Sequence, residues 1–210
     1  MRAMLPRELD DVRRARRDTL ELVAGLGQAQ LDFRPAPRKW SVGEVLDHLA
    51  LAEGVYRREI EELVRRAEAG EEPVLRRHFS DIDVSMFYIP RSVLPLFELP
   101  FTVMTRVMPR KMGEYLASAR WIPTHNPTAV TPRPARPGDR LRSDLEDSLA
   151  ALEAVFRDHP DVDFTKLVHK HPLFGVNTVP QILLFSANHE RRHQAQMRDV
   201  MAASGFPEAA

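Results

Sequence analysis

His189 and His193 stand one helical turn apart in the run His189-Glu190-Arg191-Arg192-His193. On a helix turning about 100° per residue, Ser186, His189, His193, Gln196 and Val200 all fall within about 40° of Ile182. Arg191 and Arg198 fall on the opposite side and face water. Two imidazoles so placed on an inward stripe can reach a single metal ion. A third candidate is His48, set among Val45, Leu49, Ala52 and Val55 on another apolar stripe. One histidine on an apolar face is ordinarily a satisfied core residue. Three that face one interior carry ring nitrogens that are costly to bury unpartnered, and a divalent metal satisfies all of them together. We therefore expect His48, His189 and His193 to be metal ligands. Three neutral imidazoles leave the ion its full charge and open positions, the layout of a catalytic site. Such an ion lowers the pKa of a bound thiol or water and makes a nucleophile at neutral pH.

Two neighbours are candidates for catalytic roles. Glu190 lies about 80° off the histidine stripe, which suits either the rim of the site or the surface. Gln196, one turn past His193, could bond a metal-bound water or satisfy a buried polar group. The same run also spells H-E-x-x-H, the zinc-protease motif, with Glu190 as general base. That reading needs a downstream third ligand, and only the short tail to Ala210 follows. A hydrolase is thus an alternative. A non-catalytic, metal-stabilised helical interaction module is another. His78, His125, His159 and His169 read as surface or loop histidines, and His171 as loop packing or a pocket-mouth residue.

Four segments have the periodicity to position these residues. The first spans about Pro6 to Leu26, with Leu9, Val12, Leu20, Val23 and Leu26 at helical spacing. The second, about Ser41 to Glu68, opens on a capping box of Ser41 and Glu44, with Trp40 and Val45 as its hydrophobic staple. The third runs from about Asp139 to Asp158 on Leu141, Leu145, Leu149, Leu152 and Phe156. The fourth runs from about Val179 to Ala203, opened by Thr178, Pro180 and Gln181. Between the second and third lies a connector, about 71–137, that holds most of the 17 prolines. Phe87, Tyr88, Leu96, Phe97, Phe101 and Trp121 give it material to pack. A short helix around Pro109 to Ala119 and an extended run from Trp121 to Pro137 fit its pattern. It could cover the metal as a substrate wall or form the interface of a homodimer. No long strand pattern is present. The expected fold is all-α, an up-and-down four-helix bundle in one domain, 1–210, with a long proline-rich connector between helices 2 and 3.

Composition narrows the function. Thirty basic residues balance thirty acidic ones, which argues against nucleic acid as a partner. The arginines, interspersed with Glu and Asp, read as a solvated mixed-charge surface. There is no cysteine, so thiolate ligands, disulfides and a cysteine nucleophile are excluded. The apolar stretch Met86 to Met108 is broken by Pro90, Pro95 and Pro100 and is a poor membrane span. The first residues lack the apolar run of a secretory signal, so a cytoplasmic location is expected.

Two blocks carry a resemblance. The first is W-S-x-x-E-x-x-x-H-L over Trp40 to Leu49. The second comprises His171-Pro172-Leu173-Phe174-Gly175, Thr178, Gln181, and His189 to His193 with Gln196. In their order and spacing the chain resembles the DinB-like (DinB/YfiT) superfamily over nearly its whole length, apart from the connector, which departs from the compact family pattern. The resemblance implies a four-helix bundle that binds zinc, nickel or another divalent metal such as iron through His48, His189 and His193. It also implies a transferase or isomerase type of activity on a small-molecule substrate, with a low-molecular-weight thiol such as bacillithiol, mycothiol or glutathione as cosubstrate.

Overall fold

The structure is a computed structural model and describes residues 6–78, 128–171 and 175–208. Five helices, two single 3-10 turns and a small sheet make up the described residues. The helices are α1 (Arg7–Val23), α2 (Gln28–Asp32), α3 (Val42–Glu68), α4 (Gly138–Asp158) and α5 (Val179–Met201). The chain is thus mainly helical. The short helix expected around 109–119, the aromatic residues of the connector and His125 lie outside the described residues.

Local sequence explains the helix starts. At α3 the Ser41 hydroxyl accepts from the Glu44 N–H at 3.1 Å, and the Glu44 carboxylate accepts from the Ser41 N–H at 2.9 Å. Arg34 then clasps the same carboxylate. At α5 the Gln181 side chain accepts from the Thr178 N–H at 2.8 Å, with Pro180 in the first turn. Gly27, just past the end of the first expected helix, opens the short α2, its N–H donating to the Gln30 side chain.

The four long helices form a ring of neighbours: α1 touches α5 and α4, and α3 touches the same two. Their apolar faces build two cores. One holds Leu9, Val12, Ile60, Leu63, Leu152, Phe156, Ile182 and Leu183. The other holds Val23, Val45, Leu46, Leu49, Leu141, Leu145, Met197 and Val200. Along α1 and α5 the first core precedes the second, whereas along α3 and α4 the order is reversed. Helices α3 and α4 therefore run in the same direction. The strict up-and-down alternation expected from the sequence is replaced by up, down, down, up. A chain that leaves α3 at one end must return to the other before entering α4, and this is what the length of the 71–137 connector permits.

A three-stranded sheet was not expected. It comprises β1 (Val74–Arg76), β2 (Val168–His171) and β3 (Gly175–Thr178), with β1 parallel to β2 and β2 antiparallel to β3. Strands of three or four residues are too short to carry a readable alternation. Gly175 takes φ 71°, the left-handed region that glycine enters freely, where the chain turns into β3.

Candidate metal centre

Between the two cores every long helix carries polar residues at the same level. On α1 these are Arg16 and Thr19, on α3 His48 and Glu53, on α4 Ser148, and on α5 His189, Glu190, His193 and Gln194. The metal candidates form one side of this layer. His48 comes from α3 and His189 and His193 from α5, which are direct neighbours. The three ring nitrogens all lie within 4.8 Å of one another. His189 Nε2 is 3.1 Å from His193 Nε2 and 3.4 Å from His48 Nε2.

The opposite ring edges set the protonation pattern. His48 Nδ1 lies 2.7 Å from the Val130 carbonyl, which can only accept, so the proton is on Nδ1 and Nε2 carries a lone pair. His193 Nδ1 donates to the Gln196 side-chain oxygen at 2.8 Å, which leaves its Nε2 in the same state. A neutral His189 can offer its Nε2 proton to one of these acceptors at most, so a buried lone pair is left over. A divalent cation satisfies all three. The residues present therefore fit a metal ion. Burial keeps the rings neutral: it lowers His48, lowers His189 well below the ordinary histidine value, and brings His193 to about 3. The positive charge of Arg192 pushes each of the three further down.

Aromatic rings wall the site. Trp40 packs with its ring centroid 4.9 Å from that of His48 and 6.2 Å from that of His193. Phe185 stacks on His189, and Tyr56 stands edge-on to both. Tyr56 lies two turns beyond His48 on α3. It is raised in pKa by burial.

Glu190 sits neither at the rim nor on the surface. It is buried and accepts from Arg16 Nε at 2.9 Å, while Arg16 Nη2 reaches Glu53 at 2.5 Å and Glu190 at 3.2 Å. The reason is that α5 packs extensively on α1, so its buried arc is wider than the histidine stripe. Arg16, 2% exposed, departs from the solvated role assigned to the arginines. Gln196 is placed to orient His193. His169 is buried in β2, which corrects its reading as a surface or loop residue. Its Nε2 stands 3.6 Å from Glu59, beyond hydrogen-bonding reach, and has no hydrogen-bond partner. His159 pairs with Glu68 at 2.6 Å where α4 ends, and His78 is exposed.

Sequence reasoning passed over two contributors to the site. One is Val130, which acts through its carbonyl and so leaves no trace in residue type. The other is Asp47, directly before His48, which binds Arg133 and Arg136.

Among known proteins, the uncharacterized protein YuaE of Bacillus subtilis (strain 168) is 25% identical over 186 residues, covering 89% of this chain and 92% of that protein. No solved structure matches the chain significantly. No described helix is long and apolar enough to cross a membrane. The family model described as the DinB superfamily matches residues 11–197, and the chain belongs to that superfamily.

Proposed function

We propose that this chain is a divalent-metal enzyme that activates a low-molecular-weight thiol, or water, for sulfur transfer or isomerisation of a small-molecule substrate. One observation carries the proposal: three Nε2 atoms face one another in a buried layer while the Nδ1 protons of His48 and His193 are held elsewhere. The four long helices, read as the four-helix bundle of the superfamily, supply a rigid frame for these ligands.

His48, His189 and His193 would hold the ion, with zinc or nickel favoured and iron acceptable to the same nitrogens. When bound, the metal supplies Lewis-acid chemistry that stabilises a thiolate or hydroxide at neutral pH. The protein's own residues do the rest. Val130 and Gln196 fix the ligand tautomers. Trp40, Tyr56 and Phe185 exclude water from one side of the site, and the charge of Arg192 favours an anionic cosubstrate beside it. With no cysteine in the sequence, the sulfur must arrive on a borrowed thiol. A cytoplasmic setting, where such thiols stay reduced, belongs to the same reading.

The hydrolase reading loses its general base, because both Glu190 oxygens face Arg16. The non-catalytic module differs in what it predicts for variants. Elemental analysis of untagged protein beside His48→Ala/His189→Ala should give near one equivalent of divalent metal, lost in the variant. The loaded protein should then transfer sulfur from a small thiol to members of an electrophile panel. Metal without turnover across that panel favours the module. Absence of metal after reconstitution overturns the proposal.

A further inference from the structure

Asp47 is fully buried, and its carboxylate is held by the stretch of chain that leads into α4. Its carboxylate accepts from the Arg133 N–H at 2.8 Å, from Arg133 Nε at 3.1 Å and Nη2 at 2.7 Å, and from Arg136 Nη1 at 2.6 Å. Arg136 also binds Asp144 on α4 at 2.6 Å. Burial alone would push Asp47 up, but the arginine bonds outweigh it and hold the carboxyl below its ordinary value. The clasp therefore ties residues 133–136 to both α3 and α4. Three residues upstream, the turn Thr128–Val130 rests on α3, and its last carbonyl is the acceptor for His48 Nδ1.

We propose that Asp47 is a positioning residue for the metal centre: through Arg133 and Arg136 it holds the Val130 carbonyl that sets the tautomer and aim of His48. Adjacent residues on α3 thus divide the work. His48 turns inward as a ligand, and its neighbour anchors the chain that orients it. His193 is oriented independently by Gln196, its own neighbour on α5. This inference rests on the metal reading for its consequence but not for its test, since the tautomer exists in metal-free protein.

The experiment compares wild type with Asp47→Ala, Asp47→Asn and Arg133→Ala. Asp47→Ala leaves Arg136 paired with Asp144, and Arg133 is 58% exposed and can turn to water, so this cut strands no buried charge; in Arg133→Ala the Asp47 carboxylate keeps Arg136. Long-range nitrogen NMR of the metal-free proteins reads each ring. In Asp47→Ala, His48 should shift to a mixture of tautomers while His193 keeps its Nδ1 proton. Asp47→Asn keeps an acceptor for the Arg133 N–H and should restore most of the wild-type pattern. Zinc affinity from chelator competition should fall about 10- to 100-fold in Asp47→Ala and by less in Arg133→Ala. A His48 tautomer unchanged in Asp47→Ala overturns the inference, as does loosening of His48 and His193 alike, which marks a general structural role. If the tautomer responds as expected but wild type binds no zinc, the positioning stands and the metal reading fails.

Discussion

His193 meets Gln196 through one ring nitrogen and the other imidazoles through the second, so a single side chain decides which edge is available to a metal. A ligand whose far edge is held spends little entropy on reorienting when the ion arrives. Replacing Gln196 with leucine should lower metal affinity by about 10- to 100-fold. The same change should cost the metal-free protein only about 1 kcal/mol, because the position is half-buried and water can replace the amide. Chelator competition and urea unfolding separate the two effects. Equal loss in both would mean that Gln196 serves the fold rather than the site.

At the scale of elements, Arg16, Glu53 and Glu190 join α1, α3 and α5 through one guanidinium and two carboxylates. Burial beside Glu190 pushes the Glu53 carboxyl up, and its Oε1 has no hydrogen-bond partner. Arg16→Met strands both carboxylates and should destabilise the protein by about 3–5 kcal/mol. Replacing all three with apolar residues of similar volume should recover most of that loss. Denaturant midpoints of the two variants test the pair of expectations. The layer was partly legible in the chain. Arg16 falls on the same stripe as Val12, Thr19 and Val23, and Glu190 on that of Leu183, Ala187, Gln194 and Met197, so charge at core spacing was there to be read. Reading arginine and glutamate as surface by type concealed it. The histidine triad was readable because imidazoles on apolar stripes are costly to bury unless something binds their ring nitrogens. The Val130 carbonyl and the parallel course of α3 and α4 were not, since backbone groups carry no signature and direction depends on what a connector does. The short strands were hidden for want of length, and with them the burial of His169.

Across the whole molecule the buried histidines make stability depend on pH. Burial brings His169 down to about 4 and His171 to about 3, against about 6.5 for the ordinary side chain. Between these values the unfolded chain binds protons that the folded chain refuses, so stability is lost as pH falls from about 6.5 toward 4. His169 alone accounts for up to about 3 kcal/mol of that loss. His169→Leu in metal-free protein should flatten the slope of unfolding free energy between pH 7 and pH 5; a slope equal to that of wild type would place the titration elsewhere. The polar layer that divides the two cores also has a bearing on time. His189, Glu190, His193 and Gln194 all come from α5, whereas Arg16, Thr19, His48 and Glu53 wait on α1 and α3. His48 meets His189 and His193 only once α5 has docked on α3, so on the proposed metal reading capture of the ion would report that docking. In refolding with cobalt(II), any colour from a bound ion should then grow no faster than the helix that carries His189 and His193 settles into place.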